Sequence, residues 1–221
     1  NNPFELWYPE KRPFFLEEED FYNTSIDAVH TRTLADPNYG IKLTGKEGAN
    51  TIGFFTAQDA VTNLVIPSLE GSDADAQEMR SYGTVLRYLR DYGQSSNIGL
   101  LLTDREGGDY YNRLLGLDGI FRLGKKDHIK WQVLGTRTRY PDNIALKHDQ
   151  TMGGFGGEGI YANYSRNTEK YNFFGTYQQM SPDFRSDLGF VNQVGYRYAD
   201  VGGEYIWRAG PGRWFNWINV Y

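Results

Sequence analysis

The sequence predicts an all-β chain: an antiparallel meander of about ten strands forming part of a transmembrane outer-membrane β-barrel. Three observations predict it. From Gly40 onward, apolar and polar residues alternate with period two. The alternating stretches are each close to the ~9–11 residues that a tilted membrane strand needs. The connections between them alternate strictly between short and long, as in barrels with tight periplasmic turns and longer outer loops.

Residues 1–37 read as an extended or looped entry segment, and residues 38–221 as the strand region, a fragment of a larger barrel. Pro9 and Pro13 flank a charged stretch, and Glu17, Glu18, Glu19 and Asp20 follow. Proline removes a backbone donor and fixes φ, so neither a regular helix nor a central strand is expected there. Ile41 and Leu43 then alternate with Lys42 and Thr44, and Ile52 and Phe54 with Thr51 and Gly53. Further strands are expected over 84–91 and 96–104. Another is marked by Leu115, Leu117 and Phe121, and another by Ile129, Trp131 and Val133. Ile160, Ala162 and Tyr164 mark the next, then Tyr171, Phe173 and Tyr177, then Val201, Tyr205 and Trp207, and a last one begins at Arg213. The short connections are 46–50, 92–95, 124–127, 167–169 and 209–212. The long ones are 59–82, 105–111, 140–155 and 179–195. Asn1 opens without Met or a leader-like run, and 214–221 reads as an unfinished strand. The sequence is therefore expected to be a processed product or a piece of a longer chain.

Composition bounds the function. Net charge is −5, with 28 acidic against 23 basic residues, which gives no footprint for nucleic acid. There is no cysteine, which excludes disulfides, thiol catalysis and zinc–thiolate sites. Aromatic residues make up 16% of the chain, and Trp131, Tyr140, Tyr171, Tyr177, Trp207 and Trp214 fall near strand ends. That placement suits two interfacial girdles. The competing reading is a soluble up-and-down barrel or propeller with its apolar face turned inward.

Several segments resemble the DUF5916 proteins of Gram-negative bacteria: 9–17, 40–46, Thr84-Val85-Leu86-Arg87 with Arg90-Asp91, and Ile98-Gly99 with 103–106. Gly116-Leu117-Asp118 and the run Ser181 to Phe190 complete the set, in the family's order. The first and last are the most specific. The resemblance implies an outer-membrane barrel region that follows a carbohydrate-binding-family-9-like domain in a longer parent chain. That domain lies outside this sequence. Where the family pattern leads one to expect a Tyr-Ser-Arg-Arg-like run, the chain has His30-Thr31-Arg32-Thr33.

No catalytic constellation, cofactor motif or metal-ligand spacing is legible. Glu17–Asp20, and Asp73 with Asp75, are carboxylate-rich but lack the spacing and glycine of a calcium loop, so solvated charge and loop are expected. His30, His128 and His148 are scattered, and the glycine-rich run 153–157 lacks the Lys-Ser/Thr of a phosphate loop. The polar face carries Lys42, Arg87, Asp118, Arg122, Lys130 and Glu158. In a barrel these would face the lumen, either to set solute selectivity or to fill it with salt bridges. Phe184, Arg185 and Asp187 sit in the most distinctive loop, expected as an outer binding loop or an inward constriction. The interfacial aromatics are Trp131, Tyr171, Tyr177, Trp207 and Trp214. Three functions stay open: a non-enzymatic outer-membrane channel or surface platform linked to carbohydrate binding or uptake, a soluble extracellular carbohydrate-binding module, and an outer-membrane hydrolase with a loop-borne site. The expected partners are outer-membrane lipid and other segments of the parent chain or an associated complex, with a glycan open.

Overall fold

The computed structural model describes residues 10–17, 19–93, 95–210 and 212–221. The first element among the described residues is a one-turn helix, α1 (Pro13–Leu16), started by proline where the missing N–H costs nothing. Two 3₁₀ turns follow, Glu19–Tyr22 and Thr31–Thr33. Strands β1 (Pro37–Glu47), β2 (Asn50–Asp59), β3 (Thr62–Pro67), β4 (Ser72–Gln77), β5 (Ser81–Tyr92), β6 (Ser96–Gly107), β7 (Tyr110–Leu123) and β8 (Asp127–Arg139) come next. The short helix α2 (Asp142–Lys147) precedes β9 (Phe155–Asn167), β10 (Tyr171–Met180), β11 (Tyr196–Arg208) and β12 (Trp217–Val220).

Ten of these strands form one antiparallel sheet in the order β1-β2-β5-β6-β7-β8-β9-β10-β11-β12, and β3-β4 form a separate hairpin. The all-β antiparallel meander expected from the alternation is therefore present. Residues 60–80, which leave and re-enter the sheet between β2 and β5, carry that hairpin rather than a loop.

Strict short–long alternation does not hold. At the end where the long connections lie, β6 and β7 are joined by Gly108 and Asp109 alone. Gly108 takes φ +56, the left-handed conformation that a two-residue hairpin requires. A Cβ at the adjacent Gly107 would strike the carbonyl of Arg80, so the neighbouring link crowds this hairpin. At the opposite end the last connection runs over 209–216 and is not tight.

One face of the sheet is covered by the chain itself. Phe15, Tyr22, Ile26, Ala28, Val29 and Leu34 pack onto Phe55, Val85, Leu101, Leu114 and Leu134. From the other side Met180, Phe184, Leu188 and Val194 complete the same core. Full burial of such side chains is worth about 1.5–3 kcal/mol each, enough to fix this segment against the sheet with only single helical turns of its own. A second core joins Leu64 and Ile66 of the hairpin to Tyr110, Tyr140, Ile144 and Phe155, which anchors α2.

Candidate functional site

The two faces of the sheet have opposite chemistry, and strand register decides which residue joins which. Lys42 lies opposite Phe55, Arg87 opposite Leu101, and Asp118 opposite Gln132, all on the covered face. On the other face, Leu43, Phe54, Leu86, Leu102 and Leu115 form one continuous row with Gly135. Leu115, Leu117 and Val133 lie in the middle of the sheet and are still 54%, 49% and 48% exposed. A strand in a water-soluble sheet turns such residues inward.

On the covered face Arg87, Asp118, Gln132 and Lys42 each form hydrogen bonds beneath the entry segment. Arg87, 2% exposed, donates to both carboxylate oxygens of Asp118, with Nη2 at 2.7 Å from Oδ2. Its Nε donates to the Phe21 carbonyl at 3.4 Å. Gln132 accepts the Ile26 N–H at 2.6 Å, and Lys42 Nζ donates to the Phe14 carbonyl at 3.2 Å and to that of Glu17. The bonds to Phe21, Ile26, Phe14 and Glu17 hold the entry segment to the strands, and the Arg87–Asp118 pair ties β5 to β7. Within that segment Glu10 organises the turn. Burial pushes its carboxyl up, but donors from Arg12, Thr31 and Lys11 outweigh this and hold it down to about 2.

Toward the long-connection end sits a second cluster centred on Arg105, which is fully buried. It donates to Ser81 Oγ (3.3 Å), the Asn63 carbonyl (2.8 Å), the Asp187 carbonyl (3.1 Å), the Thr33 carbonyl (3.3 Å) and Asp59 Oδ2 (3.3 Å). Asp59 also accepts the N–H groups of Ala35 and Asp36. The Asp187 carboxylate accepts the hydroxyls of Tyr110 at 2.7 Å and Tyr140 at 3.0 Å. Burial raises the Asp187 carboxyl above its ordinary range against the pull of those donors, and burial likewise raises the Tyr140 phenol. Arg185 bonds Gln150 and the carbonyls of Pro182 and Phe184. One knot thus joins the entry segment, β2, β3, β5, β6 and the connection 181–195.

The structure brings Lys42, Arg87, Asp118, Arg122 and Lys130 to the covered face by register, with Arg122 and Lys130 exposed beyond the entry segment. Glu158 does not join them. It lies opposite Gly135, on the face that carries Leu115 and Val133. Phe184, Arg185 and Asp187 are 0%, 5% and 4% exposed, so the distinctive loop packs inward and offers no outer binding surface at these residues. Trp131, Tyr171, Tyr177 and Trp207 lie on the apolar face, and Trp131 stacks on Phe121 with centroids 6.1 Å apart. Trp214 lies in the connection 209–216 instead. Tyr140 is no girdle residue; it is buried beneath Asp187.

Asp73 and Asp75 belong to β4 rather than to a loop, and Asp75 bonds Lys147, His148 and Gln77. Among the described residues no group of three or more His, Asp or Glu is placed to hold a metal. Of the acidic run, Glu18 lies outside the described residues. The glycine-rich run enters β9, where Gly157 gives the backbone of Asp183 and Phe184 room to approach.

Sequence reasoning missed Asp59, Arg105, Tyr110 and Gln132 as partners. Their signal was parity: Arg105 shares a face with Leu101 and Thr103, not with Leu100 and Leu102. What this arrangement does chemically is saturate each buried charge with donors or a counter-charge, fixing geometry. Searches against protein-family models, curated proteins and solved structures return no match to the chain.

Proposed function

We propose that this chain forms wall strands of an outer-membrane β-barrel, as its resemblance to the DUF5916 proteins implies. Residues 10–36 and 181–195 fill the inner side. It acts without catalysis, as a filled structural platform rather than an open channel. The observation that carries this reading is the inversion of the two faces. Mid-sheet leucines and valines are exposed, while Arg87, Arg105, Asp59 and Asp187 are buried. Water would penalise the first arrangement and a bilayer favours it. No helix among the described residues is long and apolar enough to cross a membrane, so the strands would do so. The tight turns 48–49 and 124–126 then lie on the periplasmic side and 140–154 outside.

The test is extraction. The chain within its parent should stay with outer membranes through high salt and alkaline washing, enter solution only with detergent, and migrate differently on gels when unheated. Release into plain buffer as a monodisperse species refutes the proposal.

A further inference from the structure

The exposed face is not uniform. Near the long-connection end it carries a groove of about 1030 Å³ whose apolar wall is Phe54, Leu86, Leu102 and Leu115. At Gly135 a Cβ would meet nothing within 4 Å, so the groove is open there. Directly beyond it lies a second hollow of about 510 Å³ that includes Tyr82, Tyr111 and Arg139, with Arg113 shared between the two.

The cations at this junction are arranged against their own interest. Arg113 and Arg137 are directly paired across β7 and β8. Like charges so placed repel. Arg113 turns to the β6 carboxylates, with Nε 3.2 Å from Asp104 and Nη2 3.2 Å from Glu106, and lies 5.0 Å over the Tyr111 ring. That arrangement engages both carboxylates. Arg137 and Arg139 share a face two residues apart, about 7 Å along the strand. Neither forms an ion pair among the described residues. Glu158 and Asp183 line the β9 side of the groove without engaging them.

We infer that this junction binds a phosphate-bearing, multiply acylated lipid, its phosphate on Arg137 and Arg139 and its acyl chains along the leucine-lined groove. Arginine forks match phosphate oxygens bidentately, and Arg137 and Arg139 bring two such forks, free of ion pairs among the described residues, to one edge of the groove. The inference rests on the proposed membrane-facing role of the exposed face.

The test is native mass spectrometry of the detergent-extracted full chain. The probes are bisphosphorylated lipid A and the same lipid stripped of its phosphates. The phosphorylated form should be retained at least tenfold better. The double variant Arg137→Ala/Arg139→Ala should fall to the level of the stripped lipid, while Arg197→Ala, elsewhere on the face, retains full binding. Heat-modifiable migration of each variant shows that it is folded. Equal retention of the two lipids, undiminished binding by the double variant, or displacement by millimolar inorganic phosphate alone overturns the inference. A chain that leaves the membrane in plain buffer fails the barrel reading. One that needs detergent yet does not discriminate the lipids fails only this one.

Discussion

Replacing Arg105 by methionine keeps most of the side-chain volume and removes the charge that five groups share. Asp59, fully buried, then keeps only the N–H groups of Ala35 and Asp36, at 3.1 and 2.7 Å. Stranding one member of a buried ion pair costs about 3–5 kcal/mol. The two remaining donors place this case near about 3 kcal/mol, roughly a hundredfold in an equilibrium constant. The loss falls where Arg105 ties separate segments together. The N–H of His30 bonds Leu188 at 2.6 Å and that of Phe190 bonds Asp27 at 2.9 Å, and both report on this contact. Amide exchange of His30 and Phe190 should therefore accelerate about a hundredfold in Arg105→Met, while amides at the β7–β8 centre change little. Adding Asp59→Asn should recover part of the loss, because the stranded charge is gone. Exchange at His30 and Phe190 within threefold of the parent would show that Arg105 does not hold the two covering segments to the sheet.

Three further outcomes follow from the same geometry. Gly157→Val should drive the Asp183–Phe184 backbone away from β9, seen as protease cleavage within 181–195 with the sheet retained by circular dichroism. Leu117→Arg, in mid-sheet on the exposed face, should cost about 2–4 kcal/mol of stability in a bilayer, measured by urea titration in vesicles; a change under about 0.5 kcal/mol would mean that this face meets water. The pH dependence centres on Asp75. Burial raises its carboxyl, but Lys147, His148 and Gln77 outweigh this and hold it down to about 2 from 3.8. A lowered carboxyl stabilises the fold above its unfolded value, and that contribution disappears as pH falls from about 4 to about 2. The contact between α2 and the β3-β4 hairpin should lose about 2 kcal/mol across that window, followed by hydrogen exchange at Ile144 and Ala145, and Asp75→Asn should flatten the dependence.

Period-two alternation was enough to place the main strands, because one face of each is apolar along most of its length. Assigning charges to faces went wrong where sign replaced parity. Glu158, expected on the face of Arg87, steps evenly from Ile160 and so shares that residue's face. The hairpin β3-β4 was invisible for a different reason. Leu64, Val65 and Ile66 form an unbroken apolar run without alternation, since the hairpin packs against Tyr110 and α2 instead of lining the sheet. The buried network around Arg105 was beyond reach. It joins Thr33, Asp59, Ser81 and Asp187, and nothing local in the sequence states that these residues meet. The inward fold of 181–195 was one of two open readings, and Gly157 with Gly189 makes it sterically feasible.

Of the two segments that cover the sheet, one precedes β1 and the other joins β10 to β11. Ser186 bonds the Ala28 carbonyl across 158 positions of sequence, and His30 bonds Leu188. Residues 10–36 are synthesised before the strands they cover, yet their bonds to 181–195 cannot form until β10 has been laid down. The covered face is therefore closed over late, in the manner of a lid fastened after the box is built. Until that moment Arg105 lacks the Asp187 carbonyl, so errors in placing 181–195 should register as solvent entry at Arg105.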